Sequence, residues 1–183
     1  MANRLTVIAG PTAVGKGTVI RQILADHPEI HLSVSATTRA PRPGEVDGVS
    51  YHFLTDEQFD QLILDGQMLE YAVVHGTHRY GTMRAPVEAA LASGEHLILE
   101  IDIQGARQVK AAMPEAMLIF IAPPSWEELV RRLGGRGTET AAEQARRLET
   151  AKEEMAASGY FDHIVINDEV AECAAEVVNL MQA

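Results

Sequence analysis

Gly10 and Gly15 bracket four residues, Pro11, Thr12, Ala13 and Val14, and Lys16 follows at once. Glycines at that spacing let backbone N–H groups close around an anion, and a lysine opening a helix reaches the outer phosphates of a bound polyphosphate. Gly17 and Thr18 come next, so the hydroxyl that such a loop offers to a metal ion stands one place later than the strict pattern has it. Arg39 and Arg42 lie in RAPRPGEVDG, whose Pro41, Pro43, Gly44 and Gly48 exclude regular helix and hold both guanidinium groups on a stiff, extended loop. Glu70 is a lone carboxylate amid Met68, Leu69, Tyr71, Val73 and Val74, and Glu100 and Asp102 close an apolar run. Arg132, Arg136 and Arg147 surround the loose segment of Gly134, Gly135 and Gly137. The glycine loop with Lys16 points to binding of phosphate, whereas composition alone leaves the arginine loop equally a solvated connector and Glu70 a solvated or edge charge.

The elements that must position them follow from periodicity. Leu5, Val7, Ile8 and Ala9 form the short β-branched run of a buried parallel strand, and Val19, Ile20, Ile23 and Leu24 give the following helix one apolar face. Leu32, Val34 and Ala36 alternate with Ser33, Ser35 and Thr37, which predicts one half-buried strand ending near Arg39. Tyr51–Leu54 predicts a strand, Thr55 with Gln58 a capping box opening a helix to about Asp65, and Gln67–Val74 a strand beyond Gly66. His75–Gly81 reads as a turn, and a short helix is expected from about Pro86 to Ser93. His96–Asp102 reads as a central strand delivering a carboxylate at its C-terminal end, followed by a helix from Gln104 to about Met113 and a buried strand at Met117–Ala122. Ser125 with Glu128 predicts a capping box for a helix through Leu133, and Thr140 with Glu143 another for a helix to about Ser158. Ile164–Ile166 is the last strand, and Val170, Cys173, Ala174, Val177, Val178 and Met181 mark the inner face of the last helix. Strands alternating with helices predict an α/β fold, with a central parallel sheet flanked by helices and ligands at the C-terminal strand ends. The strand-rich stretch from about Ser33 to Gly81 interrupts that alternation and is expected to form an inserted lobe.

Composition narrows the function class. The chain has 183 residues, 46% of them hydrophobic, and a formal net charge of -11. That is enough for one domain with a real core, and the acidity disfavours nonspecific binding to nucleic acid or an anionic membrane. The single cysteine, Cys173, makes no internal disulfide, no signal-peptide pattern opens the chain, and no apolar stretch approaches the roughly 18 residues of a membrane span. A soluble, cytoplasmic protein is expected, and no exposed stripe marks a self-association surface. The seven histidines lack metal-ligand spacing and read as surface or turn residues, while Trp126 and Cys173 read as packing.

The chain resembles the guanylate kinases. The resemblance is carried by GPTAVGKGT at 10–18, SVSATTRAPRPGEVDGVSY at 33–51, LEY at 69–71, YGT at 80–82, EIDIQG at 100–105, IAPPS at 121–125, GRGTET at 135–140 and IVIND at 164–168. Many P-loop proteins share the first of these; few share TTRxPRxGE, and its pairing with GRGTET is highly specific. The resemblance implies a P-loop NTPase fold made of a core at 1–32 and 83–183, a GMP-binding lobe at 33–82 and a lid at about 126–158. It implies transfer of the γ-phosphoryl group of ATP to GMP or dGMP, with magnesium and no covalent intermediate, in a chain whose partners are these nucleotides, with no nucleic acid or membrane and with self-association left open.

The same resemblance implies the roles. Gly10–Thr18 hold the ATP phosphates, Lys16 stabilises charge on the transferred group, and Asn167 belongs to the ATP side. Arg132, Arg136 and Arg147 match lid arginines that close over the phosphates. Arg39 and Arg42, assisted by Tyr51 and Tyr80, match the residues that bind the GMP phosphate. Ionised Glu70 can accept from guanine N1–H and its 2-amino group, with the Ser35 and Thr82 hydroxyls near the ring, whereas adenine presents an unprotonated N1. Asp102 matches an acid that either contacts guanine or organises the metal shell. Thr18 or water takes the metal contact, because Gly17 stands where many members carry serine. Two rival readings are a scaffold that keeps the fold without catalysis, opposed by the intact loop and lid arginines, and a kinase for another monophosphate, opposed by Glu70 and TTRAPRPGE.

Overall fold

The structure is a computed structural model that describes residues 4–74, 78–134 and 141–183. Strand β1 (Leu5–Ala9) is buried along its whole length and leads through the glycine loop into α1 (Lys16–Asp26). It lies at the centre of a five-stranded parallel sheet ordered β2 (Ile30–Leu32), β7 (His96–Glu100), β1, β8 (Met117–Ala122) and β9 (His163–Ile166). Continuous apolar runs suit strands covered on both faces. Ile8 packs with Val19, Ile20 and Ile23 of α1 and with Val177, Val178 and Met181 of α7 (Val170–Gln182). Leu5, Val7 and Ala9 face the other way, against Val87 of α3 (Arg84–Ala92) and Ala106 and Val109 of α4 (Ile103–Ala112). The chain crosses first to the β7 side of β1 and later to the β8 side, so β1 marks the switch point where a ligand crevice opens in such sheets.

A second, four-stranded sheet is ordered β4 (His52–Phe53), β3 (Ala36–Thr37), β6 (His78–Met83) and β5 (Met68–Val74). Helix α2 (Asp56–Leu64) covers it through Phe59, which packs with Ala36 and Met68, and opens with both bonds of the Thr55/Gln58 capping box. Arg79 ties β6 to α2: its guanidinium bonds Asp60 and, at 2.8 Å, Asp56, above the Phe59 ring. The remaining elements are α5 (Trp126–Gly134), α6 (Ala141–Ala156) and a 3-10 turn at Ala157–Tyr160. Among the described residues no helix is long and apolar enough to cross a membrane.

Four local expectations are corrected. The single strand expected from Leu32 to near Arg39 is two strands in different sheets, with the chain passing between them at 33–35. His78–Gly81, expected in a turn, belongs to β6, because it pairs antiparallel with β5 from Val74↔His78 to Glu70↔Thr82. Asp102 has left β7 and caps α4 instead, its Oδ1 accepting from Gly105 N–H at 2.6 Å. The Ser125 box is half formed: Ser125 accepts Glu128 N–H at 3.1 Å, but the Glu128 carboxylate turns to Arg131 and Arg132. The Thr140 cap lies outside the described residues.

Besides the packing of Leu69 against Ala106 and Val109, Gln108 of α4 hydrogen-bonds edge strand β5 to the first layer. Tyr71 N–H donates to Gln108 Oε1 at 3.1 Å and Gln108 Nε2 donates to Tyr71 carbonyl at 2.9 Å, so an amide on α4 bonds the strand as another strand would.

Candidate active site

A cavity of about 530 Å³ opens between the two sheets, lined from the first by Gly10, Thr12, Lys16, Glu100 and Asp102 and from the second by Glu70, Tyr80 and Gly81, with Ser35 and Tyr51 from the connecting segments. One wall is the phosphate loop. Gly15 is the N-cap of α1 with φ +97°, and a Cβ there would lie 2.7 Å from Asn167 Nδ2, so both backbone and space require glycine. No side chain caps this helix, which leaves its first amides open to an anion. Ala13 adopts φ +66°, a strained conformation for a residue with a Cβ, at the turn of the loop.

Lys16 lies along the loop: its Nζ donates to Gly10 carbonyl at 2.7 Å and Pro11 carbonyl at 3.3 Å, which leaves one of its three N–H donors. Burial holds its pKa below the ordinary lysine value, against the opposing pull of Glu100, Glu154 and Asp102. Asn167 braces the loop from behind, its Nδ2 donating to Val14 carbonyl at 2.7 Å, and its buried Oδ1 makes no hydrogen bond among the described residues. Arg132 does the same from α5: it donates to the Val14 and Asn167 carbonyls at 3.2–3.3 Å and to Glu128 at 2.7 Å. Arg147 is on α6, and Arg136 lies outside the described residues. The Thr18 hydroxyl is exposed and accepts from Arg21 at 3.0 Å.

The opposite wall holds Glu70, only 4% exposed. Thr82 Oγ1 donates to its Oε1 at 2.7 Å, and Gly105 makes room for the other oxygen, since a Cβ there would lie 2.7 Å from Oε2. Burial, with the Asp102 charge adding to it, pushes the Glu70 carboxyl up to about 7, while the Thr82 bonds pull it down. Beside it, Arg39 donates to Tyr80 Oη at 3.2 Å and lies 5.4 Å from the Tyr51 ring centroid. Arg42 is exposed, and its side chain makes no hydrogen bond to a described residue.

Two functional candidates escape the sequence reading. Glu45 pairs with Arg39 through both carboxylate oxygens, at 2.9 and 3.0 Å. Its place three residues after Arg42, whose amide it accepts at 2.6 Å, was an available signal. Glu154 of α6 accepts the Thr12 amide of the phosphate loop at 3.0 Å, a contact across 142 residues that no local pattern announces. Burial raises its pKa, and the Thr12 N–H and Lys16 oppose that rise.

Known proteins resemble this chain over nearly its whole length. The guanylate kinase family model matches residues 2–183. A guanylate kinase from Leifsonia xyli is 66% identical over 177 residues, covering 97% of this chain and 70% of that protein. One from Mycobacterium tuberculosis is 54% identical, covering 97% and 86% respectively. The crystal structure of guanylate kinase from Anaplasma phagocytophilum superposes with a TM-score of 0.77 at 32% identity, over 98% of this chain and 85% of that one. A buried carboxylate facing a phosphate loop across one cleft, in a chain matched over nearly its whole length, makes this protein a member of the guanylate kinase family.

Proposed function

We propose that this cleft binds ATP along the phosphate loop and GMP against the second sheet, and that the residues lining it carry the ATP:GMP phosphotransfer of the family. The observation that carries the reading is Glu70, a buried acid held by Thr82 in the same cavity as Lys16. Guanine offers that acid two N–H donors; adenine offers it an unprotonated ring nitrogen, leaving a buried acceptor unpaired. Sites built on such bonds discriminate by about 10⁴ to 10⁵-fold.

Each side chain then has a task. Gly10–Thr18 hold the ATP phosphates, and Lys16 turns its remaining N–H to the transferred group. The buried, unpartnered Asn167 Oδ1 beside the loop suits the amino group of adenine. Arg132, Arg136 and Arg147 act as the lid cations, Arg132 exchanging its two carbonyls for phosphate on closure. Ser35, Tyr51 and Tyr80 line the GMP side of the cavity, and Arg39, against Tyr51 and Tyr80, and Arg42 bind the phosphate there, in a lobe formed by residues 33–82. Asp102, fixed as the cap of α4, faces both substrates. Positioning and neutralisation of charge are most of what this reaction needs.

Magnesium fits the donors present. Glu100, Asp102 and the Thr18 hydroxyl are hard oxygen ligands, and Gly17 leaves open the space beside Glu100, whose Oε1 lies 3.6 Å from where a Cβ would be. Among the described residues no three His, Cys, Asp or Glu side chains could hold a metal by themselves, so nucleotide phosphates and water complete its shell. When bound, it supplies neutralisation of the phosphate charge. Cys173 is buried, with its thiol pushed up to about 11, and is an unreactive packing residue.

A coupled assay for ADP formation with GMP, AMP, UMP and TMP tests the reading. Turnover with GMP and little with AMP is expected; preference for another monophosphate would overturn the assignment of Glu70. Lys16→Ala is expected to lower kcat by several powers of ten with the fold intact by circular dichroism. Near-normal turnover would remove Lys16 from the chemistry.

A further inference from the structure

The fork of Arg39 is already occupied. A guanidinium has five N–H donors. Here Nε donates to Tyr80 Oη at 3.2 Å, Nη1 to Ala40 carbonyl at 2.7 Å and Glu45 Oε2 at 3.0 Å, and Nη2 to Glu45 Oε1 at 2.9 Å. One Nη2 N–H remains. Glu45 is fixed in turn, since its Oε2 also accepts the Arg42 amide at 2.6 Å and its own amide donates to Arg42 carbonyl at 3.0 Å. Only 11% of the Arg39 side chain and 21% of the Glu45 side chain are exposed, with the Tyr51 ring against the guanidinium. The pair is a built part of the lobe, unlike an exposed ion pair that holds no fixed geometry.

Its effect on the neighbours follows from donor counting. Because Tyr80 Oη accepts from Arg39 Nε, its own proton is left to donate, and Tyr80 lines the cavity. Arg42, exposed and without a hydrogen bond to a described residue, keeps its whole fork.

We propose that Glu45 is a positioning residue for the phosphate of the monophosphate substrate. It locks Arg39 so that this arginine presents one N–H and directs the Tyr80 hydroxyl proton outward, leaving Arg42 to make the forked contact. The inference rests on the reading of this lobe as the GMP site. It replaces two interchangeable arginines with an unequal pair, one a fixed strut and one an open clamp.

Steady-state kinetics on the full chain test it, with Glu45→Ala, Glu45→Gln, Tyr80→Phe and the Glu45→Ala/Tyr80→Phe pair, and with guanosine as a competitive probe that lacks the phosphate. Glu45→Ala should raise KM for GMP about tenfold, and Glu45→Gln, which keeps one acceptor oxygen, should raise it less. Both should leave KM for ATP and inhibition by guanosine within about twofold. The pair should be weaker than the product of its singles, because each removes the same hydroxyl contact. A KM for GMP that falls in Glu45→Ala would overturn the proposal, since the carboxylate would then compete with phosphate. So would guanosine inhibition that weakens in step with GMP, which would make Glu45 a support for the loop alone, or single effects that multiply. Selectivity of the parent chain for GMP over AMP reports on Glu70, so failure of the base assignment shows in a different measurement.

Discussion

At Glu70 the surroundings bring a carboxyl to titrate near pH 7, by burial first and the Asp102 charge second. On the proposed reading guanine binds the ionised form, so GMP binding should release the Glu70 proton below that pH. The ratio of GMP dissociation constants, parent chain over Glu70→Gln, should fall by up to about tenfold per unit as pH rises from 5 toward 7, then level; the ratio cancels titration of the GMP phosphate itself. A flat ratio across that range would count against the buried acid as the base reader. Stability of the empty chain runs the other way. Glu70 imposes no penalty at a pH below the ordinary value of 4.5, and an increasing one as pH rises to about 7, where the folded carboxyl ionises. A second residue carries a purely structural prediction. Thr6 in β1 is fully buried, and its hydroxyl has no hydrogen-bond partner among the described residues. Thr6→Val keeps the shape and removes the orphan, so urea denaturation should show a gain on the order of 1 kcal/mol. A loss would mean that the hydroxyl is satisfied.

Among the elements, β5 and α4 set the depth of the pocket around Glu70. The Gln108 amide holds Tyr71, the neighbour of Glu70, while Gly105 at the start of the same helix admits the Glu70 carboxylate. Gln108→Leu removes both bonds and should destabilise by about 1–2 kcal/mol, raising KM for GMP several-fold with KM for ATP unchanged. Equal rises in both would make the amide a general brace. Such contacts mark where the sequence stops being legible. The phosphate loop could be read because its strand, glycines and helix are contiguous, and the Thr55 box because its partners are three residues apart. The alternation through Leu32–Thr37 continues while the chain changes sheets, since a period of two records facing and not partner. Strand β6 was hidden because His78, Arg79 and Gly81 are poor strand formers that are held extended by β5. Asp102 could be placed near the site by its neighbours, but its role as a helix cap depends on β7 ending at Glu100.

Across the whole molecule, the site belongs to neither sheet alone. Glu70 and Tyr80 come from one, Lys16 and Asp102 from the other, and Gln108 joins them. Thermal unfolding should therefore be a single transition that moves as one with GMP. At a hundredfold excess over the dissociation constant the gain is about 2.7 kcal/mol, a shift of several degrees for a chain of this size. Two transitions, of which GMP moves only one, would mean that the sheets unfold separately. The net charge of -11 sharpens the contrast between surface and cleft, because the substrates are anions that must find Lys16 and the arginines within an acidic protein.

The amide that bonds Tyr71 has one more consequence. β5 is the last strand of its sheet, and a bare last strand offers its backbone to any extended chain that meets it. With Gln108 on both the N–H and the carbonyl of Tyr71, that row is interrupted near its middle. A foreign strand extending the sheet on this side would meet the glutamine already on those two groups, so the clip that holds β5 also breaks the template for edge-to-edge pairing.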